Sequence, residues 1–137
     1  MKTGIAIFAH GSSIASANDS VRAVADRVAH QGGFELVEAA FLDQGTPDLA
    51  EAVARLAARG ASRILVVPYF LTLGLHLQRD LPRIVAEIAR IQPGVEIRVT
   101  LPLDGHPALA QALIERAREG EEIWNAAPDD GNIVGVP

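Results

Sequence analysis

A three-layer α/β domain around a four-stranded parallel sheet is predicted by three features of the sequence. Short, continuously apolar runs alternate with longer segments whose apolar residues recur every three or four positions. Most of the apolar runs lack the in-and-out alternation of a sheet wetted on one face, as expected of parallel strands covered on both. Glycine and proline punctuate the junctions. Strand order 2-1-3-4 is the expected arrangement.

Residues 4–9 (GIAIFA) read as the first strand, followed by a small polar loop over residues 10–18. Val21, Val24, Ala25 and Val28 then recur at helical spacing, and Gly32 and Gly33 close that helix. Residues 36–42 are the second strand, ending at Asp43. Thr46 is expected to cap the second helix and Pro47 to open it, with Asp48 favourable in the first turn. Leu49, Val53 and Leu56 face inward, and Gly60 ends the helix. Residues 63–67 are the third strand, and an apolar loop over residues 68–75 follows it. Asp80 and Pro82 mark the start of a third helix, whose buried stripe is Leu81, Ile84, Val85, Ile88 and Ile91. Pro93-Gly94 is a turn. Residues 95–99 alternate, with Glu96 and Arg98 outward, as in a half-buried edge strand. Gly105, His106 and Pro107 introduce a fourth helix, with Leu109, Leu113 and Ala117 inward and Gly120 after it. The domain is expected over residues 1–120. Residues 121–137, with Trp124 and an Asp130-Gly131 turn, read as a C-terminal tail, loose or docked on a neighbour.

Composition narrows the function. At 137 residues the chain suits one domain, and 49% hydrophobic residues allow a full core. A net charge of −5 disfavours nucleic-acid binding, which needs a basic face, so an anionic substrate would need local donors. With no cysteine there are no disulfides, thiolate nucleophiles or zinc ribbons, which suits the cytoplasm. The N-terminal apolar run is too short for a signal sequence. The longest uncharged run, residues 64–78, is broken by Pro68 and Gly74 and is too short for a membrane span. No GxSxG elbow, GxxxxGK[ST] phosphate loop or GxGxxG fingerprint is present.

Two histidines stand at strand-to-helix junctions. His10 follows the first strand and leads into Gly11, Ser12 and Ser13. His76 ends the apolar loop made of Pro68, Tyr69, Phe70, Leu71, Thr72, Leu73, Gly74 and Leu75. In a parallel sheet both emerge at the carboxyl edge, where open α/β sheets bind ligands. An apolar loop is costly to leave in water and suits the wall of a pocket for a large flat ligand. Two neutral imidazoles converging on one edge suit a first-row divalent metal. Each also has a plainer reading, as a surface histidine at a loop. Asp43 ends the intervening strand at the same edge, as a ligand or as an ordinary turn residue. Ser12 and Ser13 offer hydroxyls and backbone N–H groups to an anion, or cap the helix. Arg79 and Arg83 could pair with substrate carboxylates, or form a solvated face. His106 reads as a helix-start residue, and His30 as a partner of a helix C-terminus.

The order Ala9-His10-Gly11-Ser12, then Ala40-Phe41-Leu42-Asp43, then Pro68-Tyr69-Phe70-Leu71 and Gly74-x-His76-x-x-x-Asp80-x-Pro82 resembles the small sirohydrochlorin chelatases of the CbiX type. These are class II, ATP-independent chelatases. The resemblance covers about residues 3–119, and the Gly74–Pro82 motif is its specific part. It implies a flavodoxin-like half of a class II chelatase that inserts Co²⁺, Fe²⁺ or, in some archaeal relatives, Ni²⁺ into sirohydrochlorin for cobalamin or sirohaem synthesis. The metal is then substrate, with no further cofactor. The family's two histidines fall on His10 and His76. Many members carry Glu where this chain has the shorter Asp43. Longer class II chelatases close two similar lobes on the tetrapyrrole, so a single lobe implies a homodimer. A non-catalytic metal or tetrapyrrole carrier using the same edge, and a flavodoxin-like interaction module in which the histidines are incidental, are the competing readings.

Overall fold

Ile5, Ile7 and Ala9 point to one side of the first strand and Ala6 and Phe8 to the other, and all five are buried. A strand covered on both faces needs a layer of helix above and below, and the chain supplies both. The computed structural model describes residues 1–126. In chain order the elements are β1 (Lys2–Ala9), α1 (Ala15–Gly32), β2 (Leu36–Phe41), α2 (Leu49–Ala58), β3 (Ala61–Pro68), α3 (Leu75–Ile91), β4 (Glu96–Val99) and α4 (Pro107–Ala126). The strands form one parallel sheet in the order β2-β1-β3-β4, as expected.

Handedness decides which helix covers which face. The step from β1 to β2 runs one way across the sheet, and the steps from β2 to β3 and β3 to β4 run the other way. Right-handed crossovers therefore put α1 on one face and α2 and α3 on the opposite face. The two apolar clusters follow that division. Val21, Ala25 and Val28 of α1 pack with Ile5, Ile7, Ala39 and Phe41. Leu49, Val53 and Leu56 of α2, with Leu81 and Ile88 of α3, pack with Ala6, Phe8, Ile64 and Val66. β4 is an edge strand, and Arg98 and Glu96 pair at 2.8 Å on its exposed side.

Four expectations are corrected. The polar loop after β1 is shorter than residues 10–18, because α1 already starts at Ala15. The cap of α2 is Asp48, not Thr46. Its Oδ1 accepts from the backbone N–H of Glu51 at 2.8 Å, so the helix begins at Leu49, beyond Pro47. The third helix begins at Leu75 with Gly74 as its N-cap, not near Asp80. Pro82 therefore lies inside the helix and removes the bond to the Gln78 carbonyl. Both residues are exposed, so water can take the place of that bond. Finally, α4 runs on through Gly120 to Ala126 and carries Trp124, which the tail reading had placed outside it. It buries none of its side chains: Leu109 is half-buried, and Leu113 and Ala117 are exposed rather than inward. The chain divides into two compact units, Met1–Asp104 and a second that starts at Gly105, and both apolar clusters lie in the first. The Asp130-Gly131 turn lies outside the described residues. No described helix is long and apolar enough to cross a membrane.

Candidate functional site

The backbone ladder of the sheet continues past the strand ends at the carboxyl edge. Leu42 N–H donates to Ala9 O, Asp43 N–H to His10 O and Tyr69 N–H to Phe8 O, at 2.9, 2.9 and 2.7 Å. His10, Asp43 and Tyr69 are thereby held side by side where β2, β1 and β3 finish. Strand order turns back between β1 and β3, so the crevice beside His10 is the topological switch point of the sheet.

His10 and His76 line one cleft there, of about 330 Å³, together with Leu42, Phe70, Gly74, Leu75, Leu77, Asp80 and Ile84. Phe70 forms its apolar floor. Its ring meets Phe8 edge-on, centroids 6.0 Å apart, and meets the His10 ring at 6.4 Å and 73°. His10 Nδ1 lies 3.3 Å from the Gly11 carbonyl oxygen. In the tautomer that donates there, Nε2 keeps its lone pair for a metal or a proton.

His76 reaches the cleft differently from the expectation. It is the second residue of α3 rather than the tip of a loop. Gln78 Nε2–H donates to the Leu73 carbonyl at 2.8 Å and the Gln78 backbone N–H to Gly74 O at 2.9 Å, so the helix start is pinned. His76, Asp80 and Ile84 are four residues apart and present one helical stripe to the cleft. Asp80 was not among the predicted site residues. Its signal was its place in the Gly74-x-His76-x-x-x-Asp80 motif; that it shares a helical face with His76 follows only once the helix is known to start before His76. Its carboxylate accepts from Arg83 at 3.3 Å.

The other predicted residues distribute as follows. Leu75 lines the cleft and is 78% exposed; Leu71 is 67% exposed and does not line it. Pro68 is buried at the end of β3, Thr72 is exposed and Leu73 is half-buried; none of these three lines the cleft. Arg79 is exposed on α3 and also lies outside the lining. Asp43 stands at the same edge, but its Oδ1 accepts from Gln44 N–H at 2.8 Å, and Leu42, not Asp43, lines the cleft. Among the described residues, no group of three or more His, Asp or Glu side chains is placed to hold a metal. Ser12 and Tyr69 line a second hollow, of about 390 Å³, that shares His10 with the first. The Ser12 hydroxyl accepts from Ile14 N–H at 3.0 Å within the loop, α1 has no side-chain cap, and Ser13 is exposed. His106 Nδ1 accepts from Ala108 N–H at 3.0 Å at the start of α4, and His30 lies in the last turn of α1.

A doubly wound parallel sheet with two histidines and apolar walls in a cleft at its switch point defines an α/β domain that binds its ligand at the carboxyl edge. The chain belongs to the CbiX family, whose model matches residues 4–120. It is similar to the sirohydrochlorin cobaltochelatase of Methanopyrus kandleri, with 29% identity over 86% of this chain and 98% of that protein. The crystal structure of a putative cobalamin biosynthesis CbiX protein from Marinobacter aquaeolei superposes with a TM-score of 0.77 at 29% identity, covering 88% of this chain and 98% of the other. The sirohydrochlorin chelatase SirB from Bacillus subtilis subspecies spizizenii, solved in complex with cobalt, shares the fold. Its TM-score is 0.79 at 24% identity, over 86% of this chain but only 50% of the SirB chain.

The turn after His10 has no room for a side chain at Gly11. Its φ is +92°, and a Cβ there would sit 1.7 Å from the Asp43 carbonyl oxygen. Gly11→Ala is expected to destabilise the domain by more than about 2 kcal/mol, against less than about 0.5 kcal/mol for Gly94→Ala, which has open space around it. Urea denaturation of the two variants measures the difference; equal midpoints would show that the His10 turn is not held as described.

Proposed function

We propose that this chain inserts a divalent metal ion into sirohydrochlorin without ATP. Co²⁺ and Fe²⁺ are the primary ions, and Ni²⁺ is a third that imidazole ligands accept. The observation that carries the proposal is the shared cleft of His10 and His76 in a chain of the CbiX family. The relatives' names supply the tetrapyrrole and the metal. The reaction belongs to cobalamin or sirohaem biosynthesis and is assigned to the cytoplasm.

The chemistry follows from the donor set. Two imidazoles are enough to seat a first-row cation and leave its remaining positions to water and then to pyrrole nitrogens. A cage of more protein ligands would hold the ion too firmly to release it. As the metal enters the ring, two pyrrole N–H protons must leave. An imidazole that binds metal through its lone pair cannot accept a proton at the same atom, so metal seat and proton acceptor alternate or divide between His10 and His76. Phe70, Leu71 and Leu75 offer the macrocycle apolar contact, with Pro68, Tyr69, Thr72, Leu73 and Gly74 shaping that wall. Ser12, Ser13 and Arg79 are the local donors for its carboxylates, needed because the chain carries a net charge of −5. Asp43, held through its bond to Gln44, is assigned at most an outer role toward the metal. We assign the activity to residues 1–120, where the family match ends, and place residues 121–137 outside the chelatase domain.

One lobe gives the tetrapyrrole one wall. The chain spans half of the SirB chain it superposes on, and exposed Leu75 lines the cleft, with Leu71 exposed in the loop before α3. We therefore propose a homodimer. Light scattering at micromolar concentration should report twice the 14.5 kDa chain mass; a persistent monomer, active at that mass, contradicts it.

His76→Ala and His10→Ala should each lower the initial rate of anaerobic metal insertion by about 10²-fold or more, the scale of a lost proton acceptor, with circular dichroism unchanged. His30→Ala should keep near-full activity, because His30 lies in the last turn of α1, away from the cleft. Wild-type rates in both folded cleft variants would overturn the mechanism. Stoichiometric binding without turnover by the wild type would make the protein a carrier.

A further inference from the structure

Asn18 is the one buried polar side chain among the described residues, at 7% exposure. It stands on the inward stripe of α1, three residues before Val21 and seven before Ala25, where an apolar residue would pack at no polar cost. Its amide makes three hydrogen bonds. Oδ1 accepts from Ser12 N–H at 2.9 Å, and Nδ2 donates to the carbonyls of Ser12 at 2.9 Å and Gln44 at 3.0 Å. Two carbonyl partners and one N–H partner admit a single orientation of the amide.

These bonds close a ring around His10. From His10 the chain passes through Gly11 to Ser12, whose N–H and C=O are both clamped by Asn18. Asn18 then reaches Gln44, and the N–H of the preceding residue, Asp43, donates back to His10 O at 2.9 Å. Arg22, one turn further along α1, donates to Thr46 O at 2.9 Å and lies 5.1 Å over the Phe41 ring, so α1 holds the loop after β2 at two points. Gly45 fits against this amide, since a Cβ there would come within 3.1 Å of Asn18 Nδ2 and 2.8 Å of the Phe41 ring.

We infer that Asn18 is a positioning residue that sets the backbone, and through it the imidazole orientation, of His10. The inference rests on the metal-insertion reading for its consequence in catalysis, but not for its geometry. An Asn buried only to satisfy carbonyls would support the fold without being coupled to His10 in particular.

The test uses Asn18→Ala and the milder Asn18→Ser in the full chain, with two readouts. Long-range ¹H–¹⁵N spectra of the imidazoles, without metal or tetrapyrrole, should show the His10 tautomer mixture moving towards that of an unconstrained ring. Exposed His30 is the internal reference and stays unchanged. Anaerobic insertion should fall about 10–100-fold in kcat, the usual scale for groups that orient a metal ligand, with little change in KM for sirohydrochlorin. In a His10→Ala background the same substitutions should cost nothing further, because Asn18 acts through His10. An unmoved His10 tautomer mixture, a multiplicative loss in the double variants, or loss of folding in both Asn18 variants overturns the inference. If the wild type inserts no metal while the His10 spectrum still moves, the proposed function fails and the positioning role stands.

Discussion

A crossover between parallel strands is right-handed, and the order β2-β1-β3-β4 turns back once, between β1 and β3. That reversal splits the covering helices, with α1 on one face and α2 and α3 on the other. The loops leaving β1 and β3 must therefore diverge and open a crevice at the carboxyl edge. His10 is the first residue beyond β1. Phe70 and His76 follow β3 by way of a short loop and the first turn of α3. The two histidines, 66 positions apart in the sequence, meet because the topology leaves a gap at that place.

Around that gap the packing is stiff on one side and open on the other. β1 is buried along nearly its whole length, and its ladder continues into Leu42, Asp43 and Tyr69. Gly11 has no space for a side chain, and Asn18 ties the turn to the next loop. The opposite wall is the start of α3, where Leu75 stands in solvent. A tightly held His10 turn beside an exposed apolar helix start suits the substrate pair of the proposed function: an ion that needs directed lone pairs, and a flat ring that needs area.

Much of the fold was legible because parallel strands announce themselves as unbroken apolar runs. The runs ending at Ala9, Leu42 and Val67 mark three strand ends to within a residue, and the helical stripes of α1 and α2 follow from their spacing. Boundaries set by single hydrogen bonds were less legible. Thr46 and Asp48 are both good caps by type, and only the loop path decides that Asp48 takes the Glu51 N–H. Pro82 reads as a helix start because proline favours that position, yet it is tolerated inside α3, where its missing bond faces water. The stripe of Leu109, Leu113 and Ala117 has helical spacing, but spacing shows that a helix forms, not what its face meets. At the site, His10 and His76 stood out as lone ionisable groups beside apolar runs. Asn18 did not, because a polar residue near a helix start passes for a surface residue until its three partners, one of them 26 residues away, are seen. Asp80 was masked by the misplaced start of α3.

The claim on which the account rests is that His10 and His76 together seat the metal. Cobalt-edge X-ray absorption of the wild-type protein loaded with Co²⁺ alone tests this most directly, because imidazole scattering is distinct from that of water and carboxylate. The account predicts two imidazoles per cobalt, falling to one in either His10→Ala or His76→Ala. A shell of oxygens only, or an imidazole count that neither substitution changes, would contradict it.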